Sequence, residues 1–347
     1  MRTSPEPTSH SFEPSRLVAA RELRGLSRAG LARRVDLTAA AIGQYESGVT
    51  RPSASAIAKL EVALQIPGRW LQGPELTGAA PASFRRLKRV TARDQRIAIT
   101  RGRLVHRMAE CLSRLVRLPD TSLPDIRLTP ASTVEDIEAA ATKTRQALGI
   151  EEGPAGRIIR RLEHVGVIVA RISLPAGIDA FSMPYECRPV MLLDAGIADA
   201  GRDRMDSSHE TGHLVGHRHE PLAGERWMEA QAFRFAGAFL LPQEEAWYVL
   251  PRYPDWDRML AVKEQWGISL AAQVKRADDL GLMSKENQVR AYRYLRWRNW
   301  HKQEPLDLGP VEQPTLLGTA RQLAGDQEAA ALAELIDSET FGEDVVA

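Results

Sequence analysis

His209-Glu210-Thr211-Gly212-His213 is the stretch whose residue types and spacing bear most directly on chemistry. On a helix, side chains four residues apart lie one above the other, so the two imidazoles share a face and can offer nitrogen ligands to one Zn²⁺. Glu210 stands beside that face but is badly placed to ligate the same ion. Its carboxylate is suited instead to take the proton of a water that the metal acidifies. The chemistry implied is zinc-dependent hydrolysis, with Glu210 as general base.

A third ligand is needed, and two residues compete for the place. His219 extends the motif through Gly216 to His-Glu-x-x-His-x-x-Gly-x-x-His, in which a glycine turns the chain so that a third histidine reaches the metal. Taken alone, this is similar to the metzincin signature, although no Met-turn can be identified. Glu229 lies sixteen residues beyond His213, where a second helix could present its carboxylate. Two histidines and a glutamate with an open fourth position are equally sound zinc chemistry. His217, four residues after His213, falls near the metal face and reads as a supporting or surface residue rather than a ligand.

The elements that must position these groups can be read around them. Periodicity predicts helices over 133–148, 153–166 and 206–217, and strands over 167–172 and 189–194. Mixed helix and strand with the metal helix near the centre suits a small α+β domain. Further upstream, residues 15–25, 27–35, 38–48 and 53–65 read as short helices separated by tight turns. Leu17, Leu23, Leu26, Leu31, Ala32, Val35, Ile42, Ile57, Leu60 and Leu64 are their candidate core, Ser27 and Thr38 their N-caps, and Gly48 a helix stop. A bundle of four to five helices is expected there.

The 347 residues balance 46 basic against 45 acidic side chains, yet residues 14–72 hold nine Arg/Lys against four acids. Such a block suits an anionic polymer. Residues 84–116 are also basic and read as one or two connecting helices with a solvated face. Cys111 and Cys187 are far apart and imply neither a disulfide framework nor a cysteine metal site. Neither a secretory signal nor an apolar stretch of membrane-spanning length is present, so a cytoplasmic protein with no membrane contact is expected.

Two resemblances extend this reading. Ser27-Arg28-Ala29-Gly30-Leu31-Ala32, then Thr38, Ile42, Tyr45-Glu46 and Gly48, then Arg51-Pro52-Ser53, resemble the Xre/Cro-type helix-turn-helix over about 60 residues. The resemblance implies a recognition helix over 38–47 in the major groove of an operator. It implies DNA contacts by Arg28, Thr38, Ala39, Ala40, Gln44 and Arg51, with Arg28 on phosphate and Gln44 the best base reader. Ala39 and Ala40 stand where the family often carries polar readers, which leaves thymine-methyl contacts at those positions. A homodimer would match paired half-sites.

Ile178-Asp179-Ala180-Phe181-Ser182, the His209–His213 motif, Glu229-x-x-Ala232-x-x-Phe235-Ala236 running to Leu240-Leu241-Pro242, and the block from Trp266 to Met283 together resemble the ImmA/IrrE zinc peptidases. That resemblance implies His209, His213 and Glu229 as the ligand set, with His219 as the alternative third ligand. Phe233 stands where an asparagine is common in that family. The fold expected overall is mostly α, an α+β whole: the helical bundle plus a zincin-like domain with a small sheet. The domains expected are a disordered N-terminus (1–13), the helix-turn-helix (14–73), a linker with basic connecting helices (74–129), the peptidase domain (130–305) and a helical, acidic tail (306–347). The function implied is a DNA-binding regulator that cleaves a helix-turn-helix repressor, a partner or itself. The alternative is a non-hydrolytic regulator or antitoxin-like repressor whose peptidase fold senses a ligand or partner.

Overall fold

The computed structural model describes residues 12–76, 90–185, 187–220 and 225–325. Glu13 caps the first helix, and residues 1–11 of the expected disordered N-terminus (1–13), 77–89 of the expected linker segment (74–129) and 326–347 of the expected tail (306–347) lie outside the described residues. Within them are fourteen α-helices and one three-stranded sheet, an α-rich α+β architecture. The described residues divide into two compact units, one holding 12–76, 90–117 and 320–325, the other holding 118–185, 187–220 and 225–319.

In the first unit α1 (Pro14–Leu23), α2 (Arg28–Val35), α3 (Ala39–Glu46) and α4 (Ala54–Leu64) follow the expected helical stretches, and a 3₁₀ turn covers Gly68–Gln72. Side-chain caps fix three of their starts. Ser27 Oγ accepts from Gly30 N at 3.0 Å, Thr38 Oγ1 from Ala41 N at 3.1 Å and Ser53 Oγ from Ala56 N at 3.2 Å. Leu17, Leu31, Val35, Ile42, Leu60 and Leu64 are buried, and the 3₁₀ turn adds Trp70 and Leu71. Leu23, Leu26 and Ile57 are only half-buried. α5 (Ala92–Ser113) is one long helix that groups with these four, and it buries Ala98, Leu104, Val105, Met108 and Leu112.

The basic excess of this region is partly internal. Arg16 is fully buried, with Nε donating to Pro74 O at 2.7 Å and its guanidinium 4.9 Å from the Trp70 ring centre. Arg21 is also buried, and both it and Arg28 pair with the carboxylate of Glu46. Counting cations along the sequence therefore overstates the charge facing outward, because some of them satisfy carbonyls and a buried carboxylate.

The second unit is built on a mixed sheet of order β1-β3-β2. β1 (Ile168–Ile172) runs parallel to the central β3 (Val190–Asp194), with Ile168 opposite Val190, and β2 (Ala180–Met183) runs antiparallel to it, with Ser182 opposite Met191. Val190 to Leu193 are all buried, as a strand flanked on both edges and covered by helices requires. β2 is the strand that periodicity does not show, because four residues are too few to establish an alternation. Around the sheet lie α6 (Val134–Ala147), α7 (Ile158–His164), α8 (Ala200–Gly216), α9 (Arg226–Leu240), α10 (Gln243–Val249), α11 (Trp256–Trp266), α12 (Leu270–Asp279) and α13 (Lys285–Trp297). α8 begins six residues before the expected start, capped by Asp199, whose carboxylate accepts from Arg202 N at 2.8 Å. The charged run Gly201-Arg202-Asp203-Arg204 obscures this first turn in the sequence.

Two buried arginines hold the end of α9. Arg145 Nη1 donates to Phe239 O at 2.8 Å, and Arg276 Nε donates to Leu241 O at 2.9 Å, which satisfies carbonyls that a helix terminus leaves open. Beyond α13 the chain returns as an irregular strap that is pinned by carboxylates. Glu304 accepts from Lys263 Nζ at 3.0 Å and from Leu270 N at 2.9 Å, so it also caps α12. Glu312 accepts from Ile159 N at 3.0 Å and Arg160 N at 2.9 Å at the start of α7. Glu163 of α7 in turn accepts from Thr315 N at 2.9 Å and Leu316 N at 2.8 Å, where α14 (Leu316–Ala324) begins.

Candidate functional site

α8 carries the His-Glu-x-x-His motif in its last two turns, and all five residues are buried. The neighbouring hydroxyls do not compete for the site, because they bond back to their own helix: Ser207 to Asp203 O at 2.8 Å, Ser208 to Arg204 O at 2.7 Å and Thr211 to Ser207 O at 2.8 Å. Gly212 sets how closely α9 can approach. A Cβ at that position would lie 3.0 Å from Phe235 Cδ1 and 3.3 Å from Ala232 Cα, so a side chain there would push the two helices apart.

That close packing brings the first turn of α9 to the histidines. Glu229 Oε2 stands 3.5 Å from His209 Nε2, Glu229 Oε1 stands 3.5 Å from His213 Nε2, and the two Nε2 atoms are 3.1 Å apart. A tetrahedral zinc at roughly 2.0–2.1 Å from each ligand needs ligand atoms about 3.3–3.4 Å apart. The three separations fall on either side of that value. Neither buried oxygen of Glu229 makes a hydrogen bond among the described residues, which is costly for an anion unless a cation faces it. Burial opposes ionisation of Glu229, but without a metal the protonated forms of His209 and His213 outweigh it and hold the carboxyl down to about 2, a stabilisation that a bound cation would supply once the rings are neutral. Burial lowers His213 as well, so it favours the neutral, ligating imidazole. Two imidazoles and one carboxylate match the donor chemistry that suits zinc.

Glu210 is outside this three-residue cluster. It is buried, and its Oε2 accepts a 2.7 Å hydrogen bond from Ser182 Oγ on β2. Burial raises its carboxyl from 4.5 to about 8; the Ser182 hydrogen bond works against the rise, and the charges of Glu229 and Asp206 add to it. A carboxyl poised near neutrality beside a metal-ligand cluster is equipped to take and return a proton.

A chain of hydrogen bonds orients His213. Its Nδ1 lies 3.1 Å from His217 Nδ1, His217 Nε2 lies 3.0 Å from Gln231 Oε1, and Gln231 Nε2 donates to Thr129 O at 2.7 Å. One proton arrangement satisfies every link. Because the amide nitrogen must face Thr129 O, its oxygen accepts from His217 Nε2–H, which leaves His217 Nδ1 to accept from His213 Nδ1–H. His213 Nε2 is then the unprotonated nitrogen, facing His209 and Glu229. Burial keeps His217 neutral, with a value lowered from 6.5 to about 4. His217 is thus a supporting residue, and Gln231 is a partner for it that the sequence offers no spacing rule to find. Phe233 packs its ring 4.4 Å from that of His209 and Trp227 packs 5.4 Å from His217, walling the site with apolar surface.

His219 lies elsewhere. It is half exposed and its Nε2 is 2.8 Å from Asp125 Oδ1, outside the ligand cluster. Gly216 is the last residue of α8, where a Cβ would meet Leu128 Cδ1 at 2.7 Å, and the same chain segment bonds Leu128 N to Gly216 O at 2.9 Å. This glycine admits Leu128 and is not a residue of positive φ.

In the first unit, Thr38, Ala39, Ala40, Gln44 and Arg51 are exposed along α3 and just beyond it. Val49, 72% exposed, extends the same region with an apolar side chain. Asp36, at φ 54°, makes the turn between α2 and α3. Arg28 is exposed too, but its Nε is held at 2.6 Å by Glu46 Oε2, so its guanidinium is oriented before any ligand arrives.

Residues 17–71 match the family model described as helix-turn-helix, and residues 162–278 match the one described as IrrE N-terminal-like domain. Comparison with curated proteins finds no match. No helix among the described residues is long and apolar enough to cross a membrane. The chain is therefore similar to helix-turn-helix domains over residues 17–71 and to IrrE N-terminal-like domains, a peptidase family, over residues 162–278.

Proposed function

We propose that this protein is a DNA-binding transcriptional regulator whose second domain is a zinc-dependent endopeptidase acting on a helix-turn-helix repressor, a partner or the chain itself. The observation that carries the reading is the convergence of His209, His213 and Glu229 at tetrahedral spacing, with a buried Glu210 beside them. Bound zinc would polarise the scissile carbonyl and acidify water at the position the protein leaves open. His209, His213 and Glu229 would hold it, and His217 and Gln231 fix the ring of His213 in the ligating tautomer. Glu210 accepts the water proton and returns it to the departing amine, while Ser182 keeps the carboxylate in place. In the first domain, Gln44 reads a base edge from α3, Ala39 and Ala40 offer methyl contacts, and Arg28, Thr38 and Arg51 engage the backbone.

The test is incubation of the full chain, zinc-loaded, with candidate repressors and with itself, alongside Glu210→Gln. Cleavage that disappears in the variant while zinc content stays the same supports the reading. Cleavage unchanged in the variant overturns Glu210 as the base. Absence of cleavage with DNA binding intact favours the non-hydrolytic regulator. The DNA half is tested by mobility shift on the region upstream of its own gene; no binding at low salt removes the regulator function.

A further inference from the structure

A cavity of about 370 Å³ opens in the second unit between the start of α7, the first turn of α8 and the strap at 308–315. Arg157, Arg160 and Arg204 line it, and none of the three guanidinium groups has a hydrogen-bond or ion-pair partner among the described residues. Arg204 is accommodated by Gly267, at φ +67°, where a Cβ would stand 3.0 Å from the guanidinium carbon.

The acidic groups in the same lining are already engaged. Asp203 pairs with Arg171 at 2.9 Å, and Glu312 is occupied by the amides of Ile159 and Arg160. Arg161, next along the chain, is spent on the carbonyls of Leu148 and Gly149, at 2.8 and 2.9 Å. Two nearby arginines, Arg161 and Arg171, thus serve the fold, and three with no such duty meet at one hollow. Guanidinium forks match phosphate oxygens bidentately, and three of them suit a phosphate monoester better than a carboxylate with only two oxygens. The strap adds apolar surface from Leu308, Pro310 and Val311, so the site offers an organic body something to lie on. A cavity of this volume is at the lower end of the roughly 300–1,000 Å³ typical of small-molecule sites.

We propose that this cavity binds a phosphate-bearing small molecule of about mononucleotide size, held by Arg157, Arg160 and Arg204. Because one wall is the first turn of α8, the ligand would contact the helix that carries the candidate metal site. Binding itself does not depend on that site holding a metal.

The experiment is calorimetric titration of the full chain, at constant ionic strength, with inorganic phosphate, ribose 5-phosphate, adenosine monophosphate and, as the uncharged control, adenosine. Saturable binding of the phosphate esters is expected, weaker binding of inorganic phosphate, and none of adenosine. Arg160→Gln and Arg204→Gln should each weaken the esters by about tenfold or more, the loss expected for a charge-assisted hydrogen bond. These side chains lack internal partners, so thermal melting should stay unchanged and separate lost binding from lost fold. No saturable binding of any phosphate compound, or equal binding by the variants, overturns the proposal. So does a loss of duplex-DNA affinity in the variants without any ester binding, which would assign the arginines to nucleic acid.

Discussion

Ser182 Oγ donates a 2.7 Å hydrogen bond to Glu210 Oε2, tying the edge strand β2 to the helix that bears His209 and His213. A donor on a carboxylate stabilises its ionised form, so Ser182 offsets part of the rise that burial imposes on Glu210. Ser182→Ala should therefore raise the Glu210 value further and move the acidic limb of kcat/KM to higher pH. Activity at neutral pH should fall about 10–100-fold, the usual cost of losing an orienting partner. Zinc content should stay the same, and pH–rate profiles with metal analysis check both statements.

Metal binding should depend on Glu229 and not on His219. His209→Ala, His213→Ala and Glu229→Ala are expected to purify with little zinc, while His219→Ala retains it, because His219 is occupied with Asp125. Gln231→Leu should lower zinc affinity by about 10–100-fold by freeing the tautomer of His217, read by competition with a chromophoric chelator. A Gln231→Leu protein with unchanged affinity would remove the orienting chain from the account.

The metal-free protein should show an opposed pair of pH effects on stability. Glu210 is raised from 4.5 to about 8 in the fold, so the folded state holds a proton that the unfolded chain releases. Its contribution is complete below 4.5 and is lost as pH rises through about 8. His217 is lowered from 6.5 to about 4, so its contribution is present above 6.5 and is lost as pH falls through about 4. Urea midpoints of chelator-treated protein across this range should fall toward alkaline pH for the wild type, and Glu210→Gln should flatten that limb.

DNA affinity should separate into base-reading and backbone terms. Gln44→Ala should cost about 1–3 kcal/mol at one base position and leave other sites unaffected. Arg51→Ala should weaken all sequences alike and reduce the salt slope by about one. Arg28→Ala should do the same and also remove one partner of the buried Glu46, at a stability cost of about 0.5–1 kcal/mol, small because the Arg28 side chain is itself exposed and Arg21 stays paired with that carboxylate. Mobility shifts at several salt concentrations and urea melts distinguish the two.

The strap should matter for folding. Glu304→Ala strands the buried Lys263 ammonium and uncaps α12, an expected loss of about 3 kcal/mol. Glu312→Ala uncaps only α7 and should cost nearer 1 kcal/mol. Equal midpoints for the two variants in urea would remove the distinction.

Local rules account for what could be read from residues 14–65 and from the metal helix. Ser27, Thr38 and Ser53 mark helix starts because a hydroxyl can meet an amide three residues on, a relation contained in the chain itself. The same holds for His209 and His213, whose separation of one helical turn is a property of the helix. β2 escaped because four residues carry no period, and the first turn of α8 escaped because charges there face Arg171 and solvent as well as an N-cap.

By itself the sequence determined the two histidines, the adjacent carboxylate and the short capped helices, since each depends on contacts within a few residues, and it showed the two kinds of domain through resemblance of ordered motifs to known families. Spacing alone left Glu229 and His219 both open as the third group and the family resemblance implied Glu229; tertiary structure is what stands Glu229 beside the histidines. Glu229 and His219 are both within reach along the chain, but Gly212 lets α9 pack close enough to bring Glu229 in, while Asp125 engages His219 away from the cluster. It also decided that Ser182, Gln231 and the strap carboxylates serve the site and its frame. Those roles arise from pairings across 28, 14 and up to 153 residues, a distance over which no local rule operates.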